Sequence, residues 1–423
     1  MISSVSILKD INDRAPHGRD LHGVKDLLSS VAVIDILLVL GSLFSLPDYG
    51  GALFGLSDGQ VTALRMAVSG VCFLVVLHGV KISSLPPLYK VVFAYSCLVV
   101  IEGALSEVNP GAAVVEGLCC ALFFLLPYRL SNRYGKKMGS ALLFWPLFLV
   151  VLITDCYVFA SGGAGSVTVY SEYSVTSNYL LGNKFMVAYL NMLCFAMLYQ
   201  KFPSILTVIV AGMASVLISS LVQCSTGITG SLLMTIVMAC LSMGKISRVP
   251  GSLLPILTVL MAFIAVGFTG LLTWGPIGDF VTNFLGESSD LTGRTYIYPV
   301  LVDLFAARPL LGYGSSGAAG MAVMDLIGAA NAQEGLFHIL LSNGLIGALL
   351  FLVIQYMALR GLSKSGKDSY GLLAFLLAMV LLSSIEINLG VVFMFGLGLI
   401  SPLMPTPPFE GSTGDARYEY KKY

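Results

Sequence analysis

Long apolar runs, separated by short polar patches, make up most of this chain. A membrane-spanning helix needs about 20 mostly apolar residues. That criterion predicts about twelve spans, near residues 27–46, 61–79, 91–106, 112–127, 140–160, 182–199, 203–222, 228–243, 251–273, 335–359, 370–386 and 388–404. The pattern breaks once at length. Residues 274–334 form a moderately polar segment of roughly sixty residues, and loops this long usually carry function. Within it, 295–307 has apolar positions at helical spacing, which suits a helix lying at the membrane surface.

Basic residues orient this map. With the N-terminus inside, nineteen of the 23 Lys and Arg fall on cytoplasmic segments, including Arg129, Arg133, Lys136 and Lys137 in one turn. Lys184, Arg294 and Arg308 fall outside, and Arg65 lies within a span. The positive-inside rule then places both termini in the cytoplasm and the long loop on the outer face. Residues 1–26 are a cytoplasmic N-terminal segment, with the first span as insertion signal instead of a cleaved leader. Residues 405–423, rich in Pro, Gly and Tyr, are expected to be a disordered cytoplasmic tail.

Composition removes the soluble alternatives. Of 423 residues 57% are hydrophobic and only 11% are charged, against roughly 25% charge for a soluble domain. The mean hydropathy of +0.88 agrees. A net charge of zero gives no reason to expect nucleic acid. The eight cysteines lie almost entirely in apolar runs and show neither metal-ligand spacing nor a disulfide framework. The fold class is therefore an all-α polytopic membrane protein with one large external loop between spans nine and ten.

An ionisable group at the centre of a spanning helix costs at least about 2.5–3.5 kcal/mol, so each one needs a reason. On this map Arg65, Glu102, Glu116, Asp155, Lys184, Glu334, His338 and Glu386 all fall at outer ends of spans, and only Asp35 falls mid-membrane. Taken singly, such residues usually snorkel or pair structurally. Together they point to a polar cavity open to the outer leaflet, whereas a transporter would place its charges at the midplane. Glu334 and His338 are four apart and share a helix face, which suits either a general-base pair or a plain interfacial contact.

The order of motifs in the loop carries a resemblance. Gly293-Arg294 precedes an apolar helix, then Arg308-Pro-Leu-Leu-Gly-Tyr-Gly314, a polar gap, and a span containing Asn343-Gly-Leu-Ile-Gly347. This order resembles the O-antigen ligase/polymerase superfamily, which includes Wzy-type polysaccharide polymerases and O-antigen ligases. The resemblance is strongest over about 290–350 and extends weakly to Gly182-Asn-Lys-Phe185 and Cys224-Ser-Thr-Gly-Ile-Thr-Gly230. It implies a GT-C-like fold in the bacterial cytoplasmic membrane, in capsule, exopolysaccharide or O-antigen synthesis.

The implied substrate is an undecaprenyl-pyrophosphate-linked oligosaccharide, polymerised on the outer face. Membrane lipids, a flippase and a chain-length regulator are the implied partners, and no cofactor or metal is required. Arginine suits a pyrophosphate leaving group because its planar fork stays charged and binds phosphate oxygens. By resemblance Arg294 takes that role, with Lys184, Arg65 and Arg308 as further pyrophosphate-binding candidates. The ligase branch usually has His-Asn where this chain has Gln333-Glu334. That departure favours a polymerase and leaves the base open between Glu334 and His338. A ligase for finished polymer, or a flippase of lipid-linked sugars, is the alternative.

Overall fold

A computed structural model describes residues 21–46, 56–78, 82–106, 108–171, 174–243, 250, 252–267, 294–315, 317–329, 331–360 and 367–403. The expected N-terminal segment before 21, the first part of the long loop and the tail from 405 lie outside the described residues.

The described chain is mostly helical: α1 (Leu21–Ser45), α2 (Asp58–Leu77), α3 (Pro87–Ser106), α4 (Pro110–Ala160), α5 (Lys184–Lys201), α6 (Ile205–Leu221), α7 (Ser225–Ser242), α8 (Leu253–Gly267), α9 (Arg294–Ala307), α10 (Ala318–Ile327), α11 (Gly335–Leu359), α12 (Tyr370–Leu382) and α13 (Val391–Ile400). Among the described residues five stretches are long and apolar enough to cross a membrane: Gly59–Leu77, Pro87–Ser106, Pro110–Ala160, Ser225–Ser242 and Gly335–Leu359.

Local chemistry fixes many helix starts. Ser57 and Gln60 form a capping box on α2. Asn109 caps α4 ahead of Pro110, Asn183 caps α5, and Ser204 caps α6. Two apolar spans, read separately from sequence, are the two arms of α4. The arms meet at Gly135, whose φ of 77° and ψ of 161° reverse the chain in one residue.

The helices share one large apolar core. The centre is α4, with α1, α2, α3 and α13 packed on its arms. On another flank, α5 packs on α6 and α12, and α7 packs on α6 and α12. The helix α11 joins the two groups by packing on α3 and α8. Asp35, expected mid-membrane, is tied to the residues just before the turn of α4. Its Oδ2 lies 3.2 Å from Arg133 Nη1 and accepts from the Tyr134 hydroxyl at 2.5 Å.

One element was not expected from the sequence. Residues between α4 and α5 form a small antiparallel sheet in the order β1 (Ser166–Ser171), β2 (Ser174–Tyr179) and β3 (Gly182–Asn183). Its register pairs Val167 with Ser177, Thr168 with Thr176 and Tyr179 with Gly182. The Tyr179 hydroxyl donates to the Gly163 carbonyl at 2.9 Å and fastens the sheet to the end of α4.

The long helix α11 is not continuous. Gly344 has φ 60° and ψ −168°, so the helical ladder is broken there. Backbone groups freed inside a membrane need new partners, and the segment after α9 supplies them. Leu345 and Ile346 N–H donate to the carbonyls of Pro309 and Leu310 at 2.8 and 3.3 Å. In return, Tyr313 and Gly314 N–H donate to the carbonyls of Leu341 and Ser342 at 2.7 and 2.9 Å. The approach is close enough that a Cβ on Gly344 would lie 2.1 Å from the Leu310 carbonyl oxygen. The segment after α9 is thereby latched into the break.

Candidate functional site

The end of the molecule bearing α9 gathers several polar groups. Ile297, Tyr298, Leu301 and Leu304 form the buried face of α9, in a small core with Ala319, Val323, Ala332 and Leu341. Their i, i+1, i+4, i+7 spacing is the stripe that the sequence pattern predicts. Tyr298 is fully buried, and its hydroxyl lies 2.8 Å from the Ser384 carbonyl and 3.0 Å from that of Gln333. It thus ties α9 to both the start of α11 and the turn after α12. A contact between residues 298 and 384 leaves no local signal in the sequence.

Beneath α9 lie Gln333, Glu334 and His338. Gln333 has φ +50°, an uncommon conformation for a residue with a side chain, and such strain clusters at functional positions. The Glu334 side chain is fully buried and caps α11, with Oε2 accepting from Phe337 N–H at 2.5 Å. Among the described residues its Oε1, His338 Nδ1, Gln333 Oε1 and Asn388 Oδ1 are buried without hydrogen-bond partners. Burial pushes the Glu334 carboxyl up to about 8, although the backbone N–H groups of Phe337 and Leu336 hold it down in part.

The geometry separates the two base candidates. Among the described residues no hydrogen bond joins the Glu334 and His338 side chains. Glu334 turns back onto its own helix terminus, while His338 is only partly covered. Glu334 therefore serves as the N-cap whatever else it does, and His338 has the more open position. A carboxyl held near 8 is a stronger base once ionised than an ordinary one, which suits proton removal near neutral pH.

The cationic candidates do not converge visibly on this cluster. Arg294 is the first residue of α9, and its side chain lies outside the described residues. Arg308 is exposed at the other end of the helix, with its guanidinium 4.9 Å from the centre of the Tyr313 ring. Lys184 opens α5 and donates to the Gln223 carbonyl at 3.2 Å. Arg65 lies on α2, whose main packing is with α1 and α4, and donates from Nε and Nη2 to the Ser45 carbonyl at 3.3 and 3.2 Å.

A second polar group lies where the latch enters α11. Asn343 Nδ2 is 2.7 Å from Glu102 Oε2 and 2.8 Å from Ser315 Oγ, and all three residues are buried. Sequence reading had singled out Glu102 and the Asn-Gly pair separately. It could not show that they meet.

No family model, no curated protein and no solved structure matches this chain.

Proposed function

We propose that this chain is a polysaccharide polymerase, a glycosyltransferase that joins polyprenyl-pyrophosphate-linked oligosaccharide repeats on the outer face of the bacterial cytoplasmic membrane. The observation that carries this reading is the set of buried polar atoms on Gln333, Glu334 and His338 with no hydrogen-bond partner among the described residues, beneath a helix that starts at Arg294. Such a set invites a polar reactant at a place that apolar packing would otherwise fill. The full set of about twelve spans and the outward orientation belong to the same proposal, supported by the charge pattern.

The chemistry has three parts. An acceptor sugar hydroxyl attacks the anomeric carbon of the donor, and the bond from that carbon to the pyrophosphate oxygen breaks. The lipid pyrophosphate leaves with the bonding electrons, and Arg294 stabilises its charge. The hydroxyl proton passes to Glu334 or His338. No resident cofactor enters this scheme.

Arg294→Ala tests the reading in cells. The expected result is loss of polymer, with single repeat units retained on the carrier lipid. Normal polymer from a stably inserted Arg294→Ala protein would overturn it.

One observation favours a second reading. Interrupted helices such as α11 recur in transporters, where the break lies beside the substrate. A flippase of lipid-linked sugars would move labelled carrier across vesicles without lengthening the glycan, which a polymerase would not do.

A further inference from the structure

At the end of the molecule away from α9, a cavity of about 240 Å³ opens between the end of α2 and the first arm of α4. Its lining is Val76, Leu77, Leu125, Tyr128, Arg129, Asn132 and Arg133. The polar members are two guanidinium groups, one amide and the Tyr128 phenol, with no carboxylate among them. We propose that this cavity binds one anionic phospholipid of the cytoplasmic leaflet, phosphate against Arg129, Asn132 and Arg133, chain against Val76, Leu77 and Leu125.

Three observations support that occupant. The lining is graded along α4. Leu125 comes first, then Tyr128 and Arg129, then Asn132 and Arg133, so apolar walls give way to cationic ones over about 12 Å of helix. A phospholipid has the same gradient, with its chain deeper in the membrane and its phosphate at the surface.

The cationic end also has charge to spare. Arg129 Nη1 donates to the carbonyls of Val75, Val76 and His78 at 2.5, 3.1 and 3.4 Å, capping the end of α2. Those partners are neutral, and Arg129 has no carboxylate partner among the described residues. Its Nε is buried without a partner. Arg133 is partly balanced by Asp35 at 3.2 Å, yet its side chain stays 39% exposed at the cavity. Planar guanidinium forks match phosphate oxygens, and basic pockets between helices on the cytoplasmic side are built to hold lipid headgroups.

The third observation is position. Arg129 and Arg133 share the turn with Lys136 and Lys137 that the charge pattern assigns to the cytoplasm. The proposal rests on that orientation and not on the glycosyltransferase chemistry, because the cavity is separate from the cluster under α9.

The test uses the full chain purified in neutral detergent with phosphatidylglycerol, phosphatidylcholine or inorganic phosphate added in turn. Native mass spectrometry should show phosphatidylglycerol retained at least tenfold more than phosphatidylcholine. Arg133→Gln should reduce that retention. Asn132→Glu should reduce it at least tenfold, and because Asn132 is exposed and makes no described hydrogen bond, this variant is expected to fold. Equal retention of the two lipids, or retention unchanged in both variants, would overturn the proposal. Equal thermal protection by inorganic phosphate would also overturn it, in favour of a free-anion site. Labelling Asn132→Cys from outside intact cells would overturn the leaflet assignment, and polymer in those same cells would leave the proposed chemistry standing.

Discussion

The side-chain amide of Asn343 donates to Glu102 Oε2 at 2.7 Å, and so joins the broken part of α11 to α3. The same nitrogen lies 2.8 Å from Ser315 Oγ in the segment between α9 and α10. Replacing Asn343 by Leu leaves a buried carboxyl and a buried hydroxyl without their donor. That loss is worth about 1–3 kcal/mol for an unsatisfied buried group. The melting temperature of Asn343→Leu in detergent should fall by several degrees. Glu102→Gln keeps an acceptor for Asn343 and should melt near the wild type.

The two glycines Gly344 and Gly328 differ in both strain and crowding. Gly328, with φ 72° and ψ 8°, is left-handed α, which costs a residue with a side chain about 1–2 kcal/mol, whereas Gly344, with φ 60° and ψ −168°, lies where essentially only glycine goes. Only Gly344 is crowded, with the Leu310 carbonyl at 2.1 Å from an added Cβ, whereas Gly328 faces open space. Gly344→Ala should therefore fail to accumulate as folded protein. Gly328→Ala should accumulate with a modestly lowered melting temperature, as read by fluorescence-detected gel filtration after heating.

Glu334 should make stability depend on pH. Its ordinary value is 4.5, and burial raises it in the folded protein to about 8. Below 4.5 the carboxyl is protonated whether the chain is folded or not. Between 4.5 and 8 only the folded form holds the proton, so its stabilising contribution is lost as pH rises through 8. Melting temperatures should decline from pH 5 to pH 8 and then level off. Glu334→Gln should flatten that decline, and a decline unchanged in this variant would assign it to other groups.

Polymer length in cells should separate the base candidates. His338→Ala is expected to abolish polymer in a protein of near-normal stability, because His338 Nδ1 makes no hydrogen bond to lose. Glu334→Ala should lower stability by about 1 kcal/mol through loss of the α11 cap, whatever it does to activity. Glu334→Gln keeps an acceptor for Phe337 and tests the carboxyl itself. Long chains from His338→Ala together with none from Glu334→Gln would give the role to Glu334.

Much of the helical plan was legible because burying apolar length in a membrane is a local property of the sequence. Leu253–Gly267 and Gly335–Leu359 fall within the predicted spans, and the surface helix predicted at 295–307 is α9 within a residue. The chain leaves α9 through Pro309, Gly312 and Gly314, and both glycines have positive φ. The destination of that exit was hidden, since four backbone hydrogen bonds between 309–314 and 341–346 depend on carbonyls that every sequence possesses. The hairpin after α4 was missed for another reason. The alternation in Ser166-Val-Thr-Val-Tyr-Ser171 and Ser174-Val-Thr-Ser-Asn-Tyr179 favours strands, but both segments are too short and polar to stand out as apolar length. At the candidate site, Glu334 and His338 were legible as helix neighbours. The inward turn of Glu334 onto Phe337 N–H was not, because it depends on where α11 begins.

The latch at Gly344 also makes two amides into reporters. In an unbroken helix, Leu345 and Ile346 N–H would exchange with deuterium only when the helix itself frayed. Here their protons point at Pro309 and Leu310, so their exchange measures how often the segment after α9 lets go of α11. A ligand that clamps the segment would slow both amides together. One that pries it open would speed them, with the rest of α11 unchanged.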